Sequence, residues 1–142
     1  HIPAVYLGIA QAARDYALQF ARTYQPNSLP HPIGELPHIQ DKIGQIELKL
    51  KTSRHFLYDV AAKFEQPETR DDMTLELGAA KHIVVNNALD IVDLAMRIVG
   101  AQSLKADSPL NRYYRDVRAG LSNPPMDDMT ISKLAKAALA EV

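Results

Sequence analysis

Three groupings of side chains have types and spacings that can do chemistry. Glu35-x-x-His38 has the spacing by which helical bundles hold paired metals. Such a centre needs two copies of the motif and two further glutamates, and this one copy straddles Pro37 at a helix start. The chain has no cysteine, and its five histidines form no His-x-x-x-His pair. No metal site is therefore expected, and His31, His38, His55 and His82 read as surface or interface side chains. The second grouping is His82, Asn86, Asp90, Asp93 and Arg97, whose steps of four, four, three and four put them on one narrow helix face. That stripe is either the solvated edge of a buried helix or a polar contact line to another chain or domain. If it is buried, Asp93 and Arg97 are spaced to neutralise each other. The third is Arg112-x-x-Arg115-x-x-Arg118. It either binds a phosphate-bearing ligand or, with Asp116 four residues after Arg112, forms an ordinary ion-paired face. A Gly-rich phosphate loop, a G-x-S-x-G turn and a cluster of convergent carboxylates are all missing. Residue types alone leave the catalytic residues unknown.

The elements that must position these groups are helices. Val5, Ile9, Ala12, Ala13, Tyr16, Ala17, Phe20 and Tyr24 recur at helical spacing from Ile2 to about Tyr24. Pro26, Pro30 and Pro32 stop that run. Pro37 suits the first turn of the next helix. Leu36, Ile39, Ile43, Ile46, Leu50, Ser53, Leu57, Val60 and Phe64 then alternate spacings of three and four, broken in type only at Ser53. They predict one helix of roughly 45 Å at about 1.5 Å per residue, ended by Pro67. A third helix is predicted from about Asp71-Asp72 to Val99, with Gly100 as its stop. Its middle is apolar nearly all round, which calls for several neighbours. A short helix from Pro109 to about Leu121 follows, with Ser108 as N-cap. A last helix starts at Asp127-Asp128 and Thr130 and puts Ile131, Leu134, Ala135, Ala138 and Leu139 on one face. The fold class expected is all-α, an antiparallel four-helix bundle with a short extra C-terminal helix.

The 142 residues suffice for a single domain, 1–142, and 46% apolar with 23% charged residues is an ordinary globular composition. The formal net charge of -1 points to neither nucleic acid nor a strongly charged partner. No stretch has the unbroken apolar length of a membrane span. The chain starts at His1 and runs at once into a helical pattern, without a targeting segment. It reads as a piece of a larger protein, and a cytoplasmic location is expected.

Three stretches carry a resemblance. His31-Pro-Ile-Gly-Glu-Leu-Pro-His-Ile-Gln-Asp-Lys-Ile-Gly opens the long helix, and Asn87-Ala-Leu-Asp-Ile-Val-Asp-Leu-Ala-Met-Arg-Ile-Val-Gly-Ala closes the buried one. Arg112-Tyr-Tyr-Arg-Asp-Val-Arg-Ala-Gly-Leu follows. Together, in the correct order over essentially the whole chain, they resemble the C-terminal helical domain of the acyl-CoA dehydrogenase superfamily, in the variant branch shared with flavin-dependent monooxygenases. The resemblance implies a parent oxidoreductase of acyl-CoA and fatty acid metabolism, with FAD, or FMN, as cofactor. It implies an N-terminal helical domain and a middle β domain that this fragment lacks, and a homodimer or homotetramer. It implies that the bundle supports oligomerisation and walls the flavin and acyl pocket, and that Arg97, Gly100 and Ala101 approach the cofactor. Two alternatives remain: a monooxygenase of the same superfamily, or a non-catalytic helical oligomerisation module.

The chain also departs from the family pattern. Tyr24-Gln-Pro-Asn stands where the family has an Arg-Lys-x-Phe-Gly segment whose Arg touches the flavin diphosphate. The position of the usual catalytic Glu falls at about Pro124, and the His of the monooxygenase-like branch would fall near Ser122 or Asn123. An alternative base in some members would lie just before His1. Asp127 and Asp128 are candidate bases by proximity and also suit a helix start. The fragment alone is expected to be inactive and to retain no flavin.

Overall fold

The computed structural model describes residues 2–141, so the reading of His1 as a mid-chain start lies outside the described residues. Five α-helices follow in order: α1 (Ile2–Thr23), α2 (Pro37–Glu65), α3 (Thr74–Val99), α4 (Pro109–Arg118) and α5 (Asp127–Ala140). Tight 3-10 turns occupy Ile33–Glu35, Arg70–Asp72, Gly100–Leu104 and Ala119–Ser122. There is no strand among the described residues, and the all-α bundle is as expected. Two boundaries differ. Asp71 and Asp72 sit in the 3-10 turn before α3, leaving Glu76 as the acid of its first turn. The helix starting at Pro109 tightens to a 3-10 turn after Arg118. Ser108 occupies the N-cap of α4 but makes no capping bond through its side chain.

Helix α3 is the axis of the bundle. Val84, Val85, Ile91, Val92 and Ala95 are sealed from solvent at 0% exposure, and burial stabilises each of the larger side chains by about 1.5–3 kcal/mol. Its neighbours are α1, α2, α4 and the start of α5. The Ala-rich first helix packs against it through Ala10, Ala13, Ala17 and Ala21, whose small side chains let two backbones approach closely. Helix α2 buries Ile39, Ile46, Leu50, Ser53 and Val60. Ser53, the break in the apolar seam, has a partner: Asn87 of α3 donates to its hydroxyl at 2.9 Å. That bond satisfies two polar groups that would otherwise face an apolar interface. On the outer side, Arg14 of α1 reaches Glu47 of α2 at 2.6 Å. Hydrogen bonds to Asp15 and Glu47 hold the Arg14 guanidinium above its ordinary pKa.

The chain beyond α4 is pinned at two points. A Cβ on Gly120 would lie 2.8 Å from Val85 and 3.2 Å from the Tyr6 ring, so the turn closes on the core only without a side chain. Asn123 donates to the Tyr6 hydroxyl at 2.6 Å. Helix α5 then leaves the bundle. Of α5 only Thr130 is buried, and the apolar face marked by Ile131, Leu134 and Leu139 is open to solvent.

Candidate functional site at the end of α3

The polar stripe on α3 divides into two parts. Its first half is covered by α5: Asp127 lies 3.2 Å from His82 Nδ1 and accepts from Asn86 at 3.1 Å. This is a contact line, but to a segment of the same chain. It also holds Asp127 in a structural role, and Asp128 accepts from the backbone N–H of Met129 at 2.9 Å. Neither acid lines the groove described below. The second half is solvated. Asp90 pairs with Lys49 at 3.3 Å, and Arg97 donates to Asp93 at 2.9 Å on an exposed surface. Asp93 and Arg97 thus pair as their spacing suggests, without being buried.

Helix α3 ends because Gly100 takes φ 77°, a left-handed conformation that side chains disfavour. The next turn is held by Ser103, whose hydroxyl donates to the Gly100 carbonyl at 2.7 Å. Asn111 of α4 steadies its far end by donating to the Leu104 carbonyl at 3.1 Å. Between this turn and α4 lies an open groove of about 590 Å³. Arg97, Gly100 and Ala101, which the resemblance named together, all line it. So do Asp93, Met96, Leu104, Tyr114 and Arg115. No atom lies within 4 Å of where a Gly100 Cβ would sit, so a ligand can approach the backbone there.

The arginine row of α4 is not an ion-paired face. Arg112 lies over the Tyr113 ring at 5.3 Å, and Arg118 lies over the Tyr114 ring at 4.3 Å while donating to its hydroxyl at 2.8 Å. These are cation–π contacts on the helix surface. Arg115 is the member of the row that lines the groove. The groove thus offers the Arg115 guanidinium, the Arg97 guanidinium paired with Asp93 on the same wall, a bare backbone turn and apolar side chains. Chemically it suits a flat ligand that also carries an anionic group.

The Glu35-x-x-His38 pair is not brought together as a site. Glu35 lies 3.9 Å from His31 Nδ1, and His38 is exposed at the start of α2. Pro124 lines a second cleft, of about 330 Å³, at the opposite end of α3. Lys81 lines that cleft as well and is buried at 3% exposure. Sequence reasoning passed over Lys81, although a lysine inside so apolar a run was a signal. Among the described residues no helix is long and apolar enough to cross a membrane.

Comparison with known proteins gives a consistent result. A family model described as the acyl-CoA dehydrogenase C-terminal domain matches residues 1–122. YdbM of Bacillus subtilis (strain 168), whose name places it among acyl-CoA dehydrogenases, is 62% identical over 135 residues, 95% of this chain and 35% of its own. The crystal structure of an acyl-CoA dehydrogenase from Slackia heliotrinireducens DSM 20476 matches with a TM-score of 0.86 at 25% identity, over 96% of this chain and 35% of its own. Nitroalkane oxidase in complex with spermine matches in fold with a TM-score of 0.88 at 21% identity, over 99% of this chain and 33% of its own. The chain therefore spans about a third of the length of these relatives.

Proposed function

The chain belongs to the acyl-CoA dehydrogenase C-terminal domain family, and from that premise we propose that it serves a flavin-dependent oxidoreductase as one wall of the flavin and acyl pocket and as an oligomerisation surface. The observation that carries this reading is the groove at the end of α3, where Arg97, Gly100, Ala101 and Arg115 converge. The residues fit an FAD. The open space at Gly100 admits a ring edge, and Arg115 suits a phosphate, which Arg97 would join on exchanging its partner Asp93 for it. When bound, the flavin supplies a two-electron acceptor. Arg97 and Arg115 would orient its anionic part, while Met96, Leu104 and Tyr114 would shield it from water. The apolar cleft holding Pro124 lies at the opposite end of α3, so it would wall the acyl part of a substrate at a second flavin of the oligomer, while the groove covers the first. Pro124 has no ionisable group, so the proton acceptor of the reaction would come from elsewhere in the parent.

Oligomerisation is assigned to α5, whose Ile131, Leu134 and Leu139 await a second copy of the chain. The occupants are thus an FAD, an acyl-CoA and another protomer. A chain of this length covers only one side of the flavin, so the 142-residue protein should lose FAD on desalting. The full-length parent should keep it, and Arg97→Ala in the parent should weaken retention. Flavin absorbance retained in full by the 142-residue protein would defeat this reading, as would an unaffected Arg97→Ala parent.

A second reading, oxidase or monooxygenase chemistry in the same superfamily, draws support from Pro124 at the position of the usual base. Reduction of the parent's flavin by acyl-CoA, set against oxygen-dependent turnover, separates the two.

A further inference from the structure

Lys81 is the one buried lysine among the described residues, at 3% exposure, and its Nζ has no hydrogen-bond partner. None of the ion pairs of the described residues includes it. Glu65 lines the same cleft but is exposed and leaves it unpaired. An ammonium taken out of water without an acceptor is strongly unfavourable, and buried charges are ordinarily paired. The rest of the lining is largely apolar: Leu57 and Phe64 of α2, Ala80 of α3, the first turn of α1 and the Pro124-Pro125 pair. A cleft of about 330 Å³ lies within the range of small-molecule sites. It shares no lining residue with the Gly100 groove. Lys81 and Gly100 lie nineteen positions apart along α3 and its end, about 28 Å at 1.5 Å per residue.

We propose that this cleft binds a small organic acid, with an alkyl or aryl body against Leu57, Phe64 and Ala80 and a carboxylate that accepts a hydrogen bond from Lys81 Nζ. Charge complementarity selects the occupant. A neutral apolar ligand leaves the ammonium unpaired, a cation repels it, and a carboxylate forms a charge-assisted bond within low-dielectric walls. Lys81 is thereby a specificity-determining residue, favouring ligands that carry a free carboxylate. The inference rests on the reading of this cleft as the substrate wall and narrows it: the acyl part bound there carries a free carboxylate of its own, separate from the thioester.

The test uses two probes of equal chain length, octanoate and octanol, titrated into the 142-residue protein while amide shifts of Ala61 and Phe64 are followed by NMR. Octanoate should bind at least about tenfold more tightly than octanol. Lys81→Met should erase that preference while still binding octanol, which also shows that the variant is folded. Ala61→Trp, at an exposed position on the lining, should block both probes with Lys81 intact. Equal affinities in the unmodified protein overturn the role of Lys81 and leave the apolar wall standing. Failure of both probes to shift these amides overturns the wall and the inference together. Octanoate preference persisting in Lys81→Met assigns the selectivity elsewhere and overturns the proposal.

Discussion

Helices α2 and α5 both carry an apolar stripe, but α2 buries Ile46 and Leu50 to 2% exposure while α5 leaves Leu139 at 84%. The stripe on α2 runs the length of the helix and meets α3, which is apolar on several sides and needs partners. The stripe on α5 begins only after its first turn has docked on α3 through Thr130 and Asp127. Beyond that turn the helix buries no side chain fully among the described residues. One helix is held by its apolar face, the other by polar contacts at its start. An apolar stripe therefore shows what a helix can bury, and the neighbours decide what it does bury.

That contrast can be broken at several points. The largest effect is expected at Leu50→Ala, where a fully packed side chain of α2 is truncated. A loss of about 2–5 kcal/mol should appear in denaturant unfolding, and a loss below that range would mean the α2–α3 seam is loosely packed. Next comes Ser53→Ala, which takes from Asn87 the nearer of its two acceptors, at 2.9 Å, and leaves the Lys49 carbonyl at 3.4 Å. The expected cost is about 1–3 kcal/mol, and adding Asn87→Leu should recover much of it because no polar group is then left unmet. Asp127→Ala removes the ion-pair partner of His82 and one of the two acceptors of Asn86. Its half-exposed setting weakens the pair, so about 1 kcal/mol is expected, with faster amide hydrogen exchange confined to α5. Leu139→Ala should be the mildest, within about 0.5 kcal/mol in the monomer. It should nonetheless lower self-association in sedimentation, and an unchanged association constant would remove α5 from the interface.

Much of the fold was legible because α2 and α3 are long. The spacing from Leu36 to Phe64 admits no strand, and Pro37, Pro67 and Gly100 mark three helix boundaries by backbone chemistry. The groove was legible in part. Arg97, Gly100 and Ala101 were named from a resemblance, and they do share one groove. Arg115 could not be separated from Arg112 and Arg118 by spacing, since Tyr113 and Tyr114 draw the other two aside. The stripe from His82 to Arg97 read as one feature, yet α5 covers one half and water the other.

The sequence by itself determined the helices, their order and the apolar axis at α3, because periodicity and the conformational limits of proline and glycine act locally. Only the tertiary structure decided that Lys81 is buried without a partner, that Gly120 must lack a side chain, and that the face of α5 is open. Each of those depends on which atoms from distant parts of the chain arrive within a few ångströms, and no local pattern encodes that distance.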